Sequence, residues 1–248
     1  MTDVYERIRE FWDRDAATYD HSASHSASDP TEAAAWRAAL RRALPEPPAT
    51  VLDAGAGTGS LSLLAAELGY RVTSLDLSEA MLSKAREKAE TRGLELSFEV
   101  GSAMTPPQGP FDAVMERHVL WTMPDPGGAL RAWRDATVPG GRLVIFEGIW
   151  GSRTPADRAM HVAAKTVRRM MGEEDHHHAS YPDEVLEALP LARMPSPAPL
   201  VGAVREAGWS GVRIQRLRDV EWAARLHEPW PLGWLEHHSR YAIVADKD

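Results

Sequence analysis

Cysteine is absent from the 248 residues, which removes disulfides, thiolate metal sites and cysteine nucleophiles together. Long apolar runs are missing as well. No stretch approaches the roughly 20 residues needed to span a bilayer, and Met1-Thr2-Asp3 opens no secretory leader. A cytoplasmic protein with no membrane partner is the expectation. Positive charge is in short supply, with 28 Lys and Arg against 36 Asp and Glu and a formal net charge of -8. Phosphate backbones are bound by clustered Lys and Arg, and Arg168-Arg169 with the spaced Arg213, Arg216 and Arg218 form no such cluster. Nucleic acid is therefore not expected as a partner, and a small-molecule substrate is. With 44% hydrophobic and 26% charged residues, the chain has the composition of one compact domain over residues 1–248. Either a monomer or a homodimer suits it.

What is present is concentrated in Val51-Leu52-Asp53-Ala54-Gly55-Ala56-Gly57-Thr58-Gly59. An apolar strand ends in an acid, three glycines follow at alternate positions, and Ser60-Leu61-Ser62-Leu63-Leu64 opens a helical pattern. Glycine there admits backbone conformations closed to other residues and lets a ligand come into contact with the main chain at a helix N-terminus. The dinucleotide fingerprint places its third glycine three residues after the second, whereas here the interval is two. Asp53 would also repel a pyrophosphate, but it suits an ammonium or a sulfonium. In this motif the chain resembles the class I S-adenosylmethionine-dependent methyltransferases of small molecules.

A second segment, Arg71-Val72-Thr73-Ser74-Leu75-Asp76-Leu77-Ser78, extends the resemblance. It reads as a short buried strand with Asp76 at its C-terminal end, where open parallel sheets bind ligands. Ser78 is placed to N-cap a helix carrying Met81, Leu82, Ala85 and Ala89 on one face. The resemblance implies S-adenosyl-L-methionine as cofactor, held by Asp53, Gly55 and Gly57, with Asp76 on the ribose hydroxyls and Leu77 beside it. Family members often carry an acid near position 102 for the adenine amino group. Here Ser102 or the backbone of Ala103 has to take that role. The Tyr19-Asp20 pair after an N-terminal helix matches a segment whose aromatic ring closes over the cofactor.

The implied fold is α/β: a Rossmann-like, doubly wound, seven-stranded sheet with its last strand antiparallel. Residues 1–45 supply N-terminal helices and a lid. Val4, Ile8, Phe11 and Trp12 stand at helical spacing behind an Asp3 to Glu6 capping-box pattern. Residues 21–28 repeat a small, polar tetrapeptide and read as a lid loop. A helix over 30–44 carries Trp36, Leu40 and Ala43. Alternation of Leu94, Leu96, Phe98 and Val100 predicts a third strand over 94–100. The fourth covers 111–115, Pro126 starts a helix with Leu130 and Trp133 on its buried side, and the fifth covers 142–146. Residues 148–199 form an insertion expected to recognise substrate. Its helix begins at Pro155 and places Ala159, Val162, Ala163, Thr166, Val167 and Met170 on one face. A short helix near 182–189 follows, then a helix ending at Gly208, and residues 211–220 and 241–245 read as the final strands.

Methyl transfer is an in-line displacement on a sulfonium carbon, so a nucleophile must be aligned and any proton on it removed. The reading is transfer to an oxygen or nitrogen of a small molecule, with carbon less favoured. A specialised metabolite fits as acceptor. His118, just past the fourth strand, is the candidate base, although a packed histidine bonding a loop carbonyl is the plain alternative. His21 and His25 would enter with the lid, and His161 sits on the inserted helix. His177 and His178 belong to Asp175-His176-His177-His178, which suits a solvated or substrate-facing turn better than a metal site. Of the nine tryptophans, Trp121 and Trp150, with Trp12, Trp222, Trp230 and Trp234, fall near lid or pocket segments. They serve either to stack on a planar acceptor or to pack. Arg117 either holds an acidic substrate or pairs with Glu116 or another acid. Two other functions share the motif: a nicotinamide-dependent oxidoreductase, and a non-catalytic S-adenosylmethionine-binding partner protein. The first needs a Tyr-x-x-x-Lys or equivalent hydride site, and no Tyr has Lys four residues on.

Overall fold

A computed structural model of the chain describes residues 2–21, 29–149, 155–171, 181, 183–192, 194, 196–235 and 239–248. Strands β1 (Thr50–Ala54), β2 (Arg71–Asp76), β3 (Ser97–Val100), β4 (Phe111–Arg117), β5 (Thr137–Ile149), β6 (Ser210–Arg216) and β7 (Ser239–Asp246) form one sheet in the order β3-β2-β1-β4-β5-β7-β6. Pairing is parallel from β3 across to β5, and β7 enters antiparallel between β5 and β6. The order reverses at β1 and β4, so a crevice opens at their C-terminal ends, where open α/β sheets bind ligands.

Successive residues of the central strands point to opposite faces, and both faces are buried. Val51, Ala113, Met115, Val144 and Phe146 face one core with Trp36 and Leu40 of helix α2 (Pro30–Ala43) and Leu61 and Leu64 of α3 (Ser60–Glu67). Leu52, Val114, Leu143 and Ile145 face the other. There they meet Leu130 and Trp133 of a helix over Pro126–Ala136 and Leu200 and Val204 of one over Ala198–Glu206. Helix α4 (Glu79–Arg92) packs against β2 and β3 and is capped by Ser78, whose hydroxyl accepts from the Met81 amide at 3.1 Å; its buried residues are Met81, Leu82, Ala85 and Ala89, as the spacing predicts. The N-terminal helix α1 is Thr2–Asp15. No helix among the described residues is long and apolar enough to cross a membrane.

Three expectations need correction. The third strand is Ser97–Val100, shorter than 94–100, and its alternation buries only in part: at this edge of the sheet Leu94, Leu96 and Phe98 are half-buried, Leu96 against the first core and Phe98 under the Arg86 guanidinium, whereas Val100 is 55% exposed. The strand expected over 211–220 stops at Arg216, and a helix over Arg218–His227 begins at once. Asp219 and Glu221 in its first turn favour the helix N-terminus. Glu221 also accepts from Arg216 Nε and the Arg240 amide, each at 2.9 Å, which pins that turn against β7. On the inserted helix Pro155–Met171, the apolar stripe is not a buried face: Val162 and Met170 are exposed, Ala164 is buried, and the helix packs on a short one at Leu232–Leu235.

Leu130 is fully buried in the second core. Leu130→Ala is expected to lower unfolding free energy by about 2–5 kcal/mol, read as a reduced urea midpoint with an unchanged denaturant slope.

Candidate functional site

The parallel register sets Asp53 opposite Ser74 and Ala54 opposite Leu75, so Asp53 and Asp76 reach neighbouring strand tips. The chain then bends sharply, and the Leu75 carbonyl accepts from both the Gly55 and Ala56 amides at 2.7 and 2.9 Å. Gly55 has φ +84°, and a Cβ there would stand 2.3 Å from a methyl of Val119. Gly57 has φ +55° with nothing within 4 Å of an added Cβ, so that position faces open space. The Gly57 and Ser78 amides donate to the two oxygens of Asp76 at 2.7 and 2.9 Å, fixing the carboxylate while leaving lone pairs for a diol.

Asp53 is buried and accepts from Ser62 Oγ at 2.6 Å, which in turn accepts from Ser74 Oγ at 2.8 Å. Burial pushes its carboxyl up to about 6, against the opposing effects of Ser62 and the Arg117 guanidinium. Desolvation raises Asp76 too, countered by its amide bonds. Tyr19, Asp53, Gly55, Gly57, Ser60 and Arg117 are among the residues lining a cleft open to solvent. The Ser60 hydroxyl is buried there with no hydrogen-bond partner among the described residues.

The roof is fastened through carboxylates. Tyr19 begins a short 3-10 turn, Tyr19–His21. Next to it, Asp20 accepts from Thr58 Oγ1 at 2.7 Å and pairs with Lys88 Nζ at 2.7 Å, while Lys88 also donates to the Thr58 carbonyl at 3.0 Å. Ser78 Oγ donates to Asp13 of α1 at 2.5 Å. Sequence reasoning gave the closing role to the ring of Tyr19, and the structure adds the acid beside it. Phe11 and Trp12 of α1 form an aromatic cluster with Tyr181, which Trp121 joins at 5.8 Å between ring centroids. Ile8, Leu77, Val185 and Leu189 pack around them.

His118 is the non-glycine residue with positive φ, +61°, among the described residues. Its Nδ1 lies 2.9 Å from Oε1 of Glu147, at the tip of β5. Burial, then Arg117 and Arg240, hold the imidazole well below its ordinary value. Glu116 is fully buried, with one oxygen on the Val119 and Leu120 amides at 2.7 and 3.3 Å; burial and Glu147 hold its carboxyl well above the usual range. Glu147 was not singled out from sequence, and Glu116 entered there only as an alternative partner of Arg117. The signal was there, since Glu147 follows an apolar strand just as Asp53 and Asp76 do.

The remaining candidates divide. The Asp76 carbonyl accepts from the Gly101 amide at 2.9 Å, which brings the exit of β3 towards the cofactor end. Ser102 Oγ accepts from the Met104 amide at 3.2 Å, and the Ala103 carbonyl accepts from Trp133 Nε1 at 2.7 Å. His161 is exposed on the inserted helix. Trp222, Trp230 and Trp234 are exposed, and the first and last touch each other at the Leu232–Leu235 corner rather than the cleft. His25, Trp150, His177 and His178, and the side chain of His21, lie outside the described residues.

Residues 52–145 match a family described as "Methyltransferase domain". Over 186 residues the chain is 33% identical to a ubiquinone biosynthesis O-methyltransferase of Xanthomonas axonopodis pv. citri (strain 306), covering 73% of this chain and 68% of that protein. The chain belongs to the class I S-adenosylmethionine-dependent methyltransferases. Two solved structures share the fold. One, reported as "Conversion of a Disulfide Bond into a Thioacetal Group during Echinomycin Biosynthesis", is 25% identical with a TM-score of 0.58 over 96% of this chain and 93% of that one. The other, phosphoethanolamine N-methyltransferase 2 of Haemonchus contortus with S-adenosyl-L-methionine, is 16% identical with a TM-score of 0.62 over 96% and 59%.

This methyltransferase uses S-adenosyl-L-methionine and acts on a small molecule. Its cleft fits the donor on three counts: the open space at Gly57, the buried Ser60 hydroxyl awaiting a partner, and a buried acid, Asp53, suited to a cationic group. Two glycine variants should separate fold from binding. Gly55→Ala is expected to cost about 1–3 kcal/mol for overpacking beyond the strain of its φ, measured by thermal melting. Gly57→Ala should cost only the strain of about 1–2 kcal/mol, yet weaken S-adenosylhomocysteine binding at least about tenfold by filling the cradle. Asp53 must be ionised to receive an ammonium, so affinity for S-adenosylhomocysteine should fall as pH drops below about 6. Calorimetry between about pH 5 and about pH 8 would read this, and a flat profile would contradict it.

Proposed function

We propose that this methyltransferase moves the donor's methyl group to a hydroxyl oxygen on a planar, largely apolar small molecule, with His118 as the base. The observation that carries the reading is the 2.9 Å contact between His118 Nδ1 and Glu147 at adjoining strand tips. A carboxylate on Nδ1 favours the tautomer whose Nε2 carries the lone pair, and it steadies the imidazolium that forms when Nε2 takes the acceptor's proton. Burial, with Arg117 and Arg240, holds the His118 pKa down, which keeps the ring unprotonated and free to accept a proton at neutral pH. Oxygen is preferred over nitrogen because the relatives in several Xanthomonas species carry the name O-methyltransferase.

Bound S-adenosylmethionine supplies an electrophilic methyl on a positively charged sulfur. The chain's own part is to hold, align and keep dry. Asp76 receives the ribose hydroxyls, while the Asp20 contacts with Thr58 and Lys88 keep the roof over the bend. On the acceptor side, Trp121 belongs to the turn Leu120–Thr122, which follows His118-Val119, and its indole nitrogen is buried with no hydrogen-bond partner among the described residues. Tyr181, Val185 and Leu189 bring the insertion over residues 148–199 against α1, which supports its role in recognising the acceptor. The same reading keeps the enzyme in the cytoplasm, as a monomer or homodimer. The net charge of -8 supports the absence of a nucleic-acid partner.

His118→Ala is expected to lower kcat by about 10²–10⁴-fold, with S-adenosylhomocysteine affinity retained; wild-type turnover in that variant would remove His118 from the mechanism. Acceptors for the assay come from native mass spectrometry of co-purified ligand. In the wild type, kcat should stay level as pH falls past the ordinary histidine value of about 6.5 and drop only below it. Stability behaves differently. The unfolded imidazole takes a proton near about pH 6.5 that the native one refuses. The native state should therefore lose stability as pH falls through that value, an effect that His118→Ala abolishes in denaturant titrations.

A further inference from the structure

The donor's amino-acid end carries an ammonium and a carboxylate beside the sulfonium. Asp53 and Asp76 suit cations and hydroxyls, and both would repel a carboxylate. Among the described residues lining the cleft, Arg117 is the cation. It is the last residue of β4, the strand paired with β1 through Asp53 and Met115, so the guanidinium and the Asp53 carboxylate belong to adjacent strand tips. The guanidinium carbon lies 5.4 Å from the ring centroid of Trp36, which is itself buried and held through Nε1 to Glu32 at 3.4 Å. A guanidinium lying over a fixed indole is held in orientation, and its planar fork matches the geometry of a carboxylate. Glu116, the neighbouring acid, turns one oxygen to the Val119 and Leu120 amides.

We propose that Arg117 binds the α-carboxylate of the donor's methionine tail, opposite Asp53, which takes the α-ammonium. Arg117 then reads the cofactor rather than an acidic acceptor. The inference rests on the donor assignment, and it depends on neither the acceptor nor His118.

The test uses the full chain without any acceptor, and calorimetric titration with S-adenosylhomocysteine and with its decarboxylated counterpart, S-adenosyl-3-thiopropylamine. The wild type should prefer the carboxylate-bearing ligand by at least about tenfold. Arg117→Met should lose at least about tenfold in affinity for S-adenosylhomocysteine and change by less than about twofold for the amine. Arg117→Lys, which keeps the charge but not the fork, should retain a reduced preference. Equal losses for both ligands in Arg117→Met would mark a merely structural cation and overturn the proposal, as would a preference that survives the substitution. Should Arg117→Met fail to fold by circular dichroism, the wild-type pair decides alone: equal affinities overturn the proposal, whereas the tenfold preference together with its reduction in Arg117→Lys upholds it. Tight binding of both ligands would leave the cofactor assignment standing while the carboxylate subsite falls.

Discussion

The Leu75 carbonyl accepts two consecutive amides, those of Gly55 and Ala56, and the rest of the site is built outward from this shared acceptor. It ties the bend after β1 to the tip of β2, so Asp53 and Asp76 become neighbours although they are far apart in sequence. The bend can be so tight only because Gly55 carries no side chain, and the space saved is filled by the methyls of Val119. That contact fixes the exit of β4 as well. Arg117 and His118, immediately before Val119, are thereby placed by the same turn that places the cofactor acids.

The strand tips gather more buried negative charge than a folded chain tolerates without compensation. Asp53, Glu116 and Glu147 are all buried at the ends of β1, β4 and β5. The protein answers in different ways at each. Asp53 is relieved by a serine relay and by Arg117, and Glu116 takes two backbone amides and is driven towards its protonated form by burial and by Glu147. Glu147 in turn meets the ring of His118. Burying polar groups in this manner adds little to stability, and each group is held in one geometry by hydrogen bonds. Arrays of this kind are found where geometry matters more than stability, which is the situation of a site that must align reacting atoms.

What could be read from the sequence is what local chemistry dictates. The glycine bend, the two acids at strand ends, the Ser78 cap and the buried face Met81, Leu82, Ala85 and Ala89 each follow from short-range rules, and each is present in the structure. The exposed stripe of the inserted helix shows the opposite case. Periodicity at Val162 and Met170 says which residues share a face, but not whether another element covers it. The helix at Arg218–His227 was hidden because its apolar residues also fit a short strand, and Glu221 bonding to Arg216 and Arg240 decides between them. Glu147 was hidden for a similar reason. Its partner His118 lies 29 positions away, and only the pairing of β4 with β5 brings the two together.

Asp20 touches both the hydroxyl of Thr58 and the ammonium of Lys88, and that ammonium also reaches the Thr58 carbonyl. Three contacts thus meet beside Thr58, so a single point joins the beginning of the chain both to the turn that follows its first strand and to helix α4.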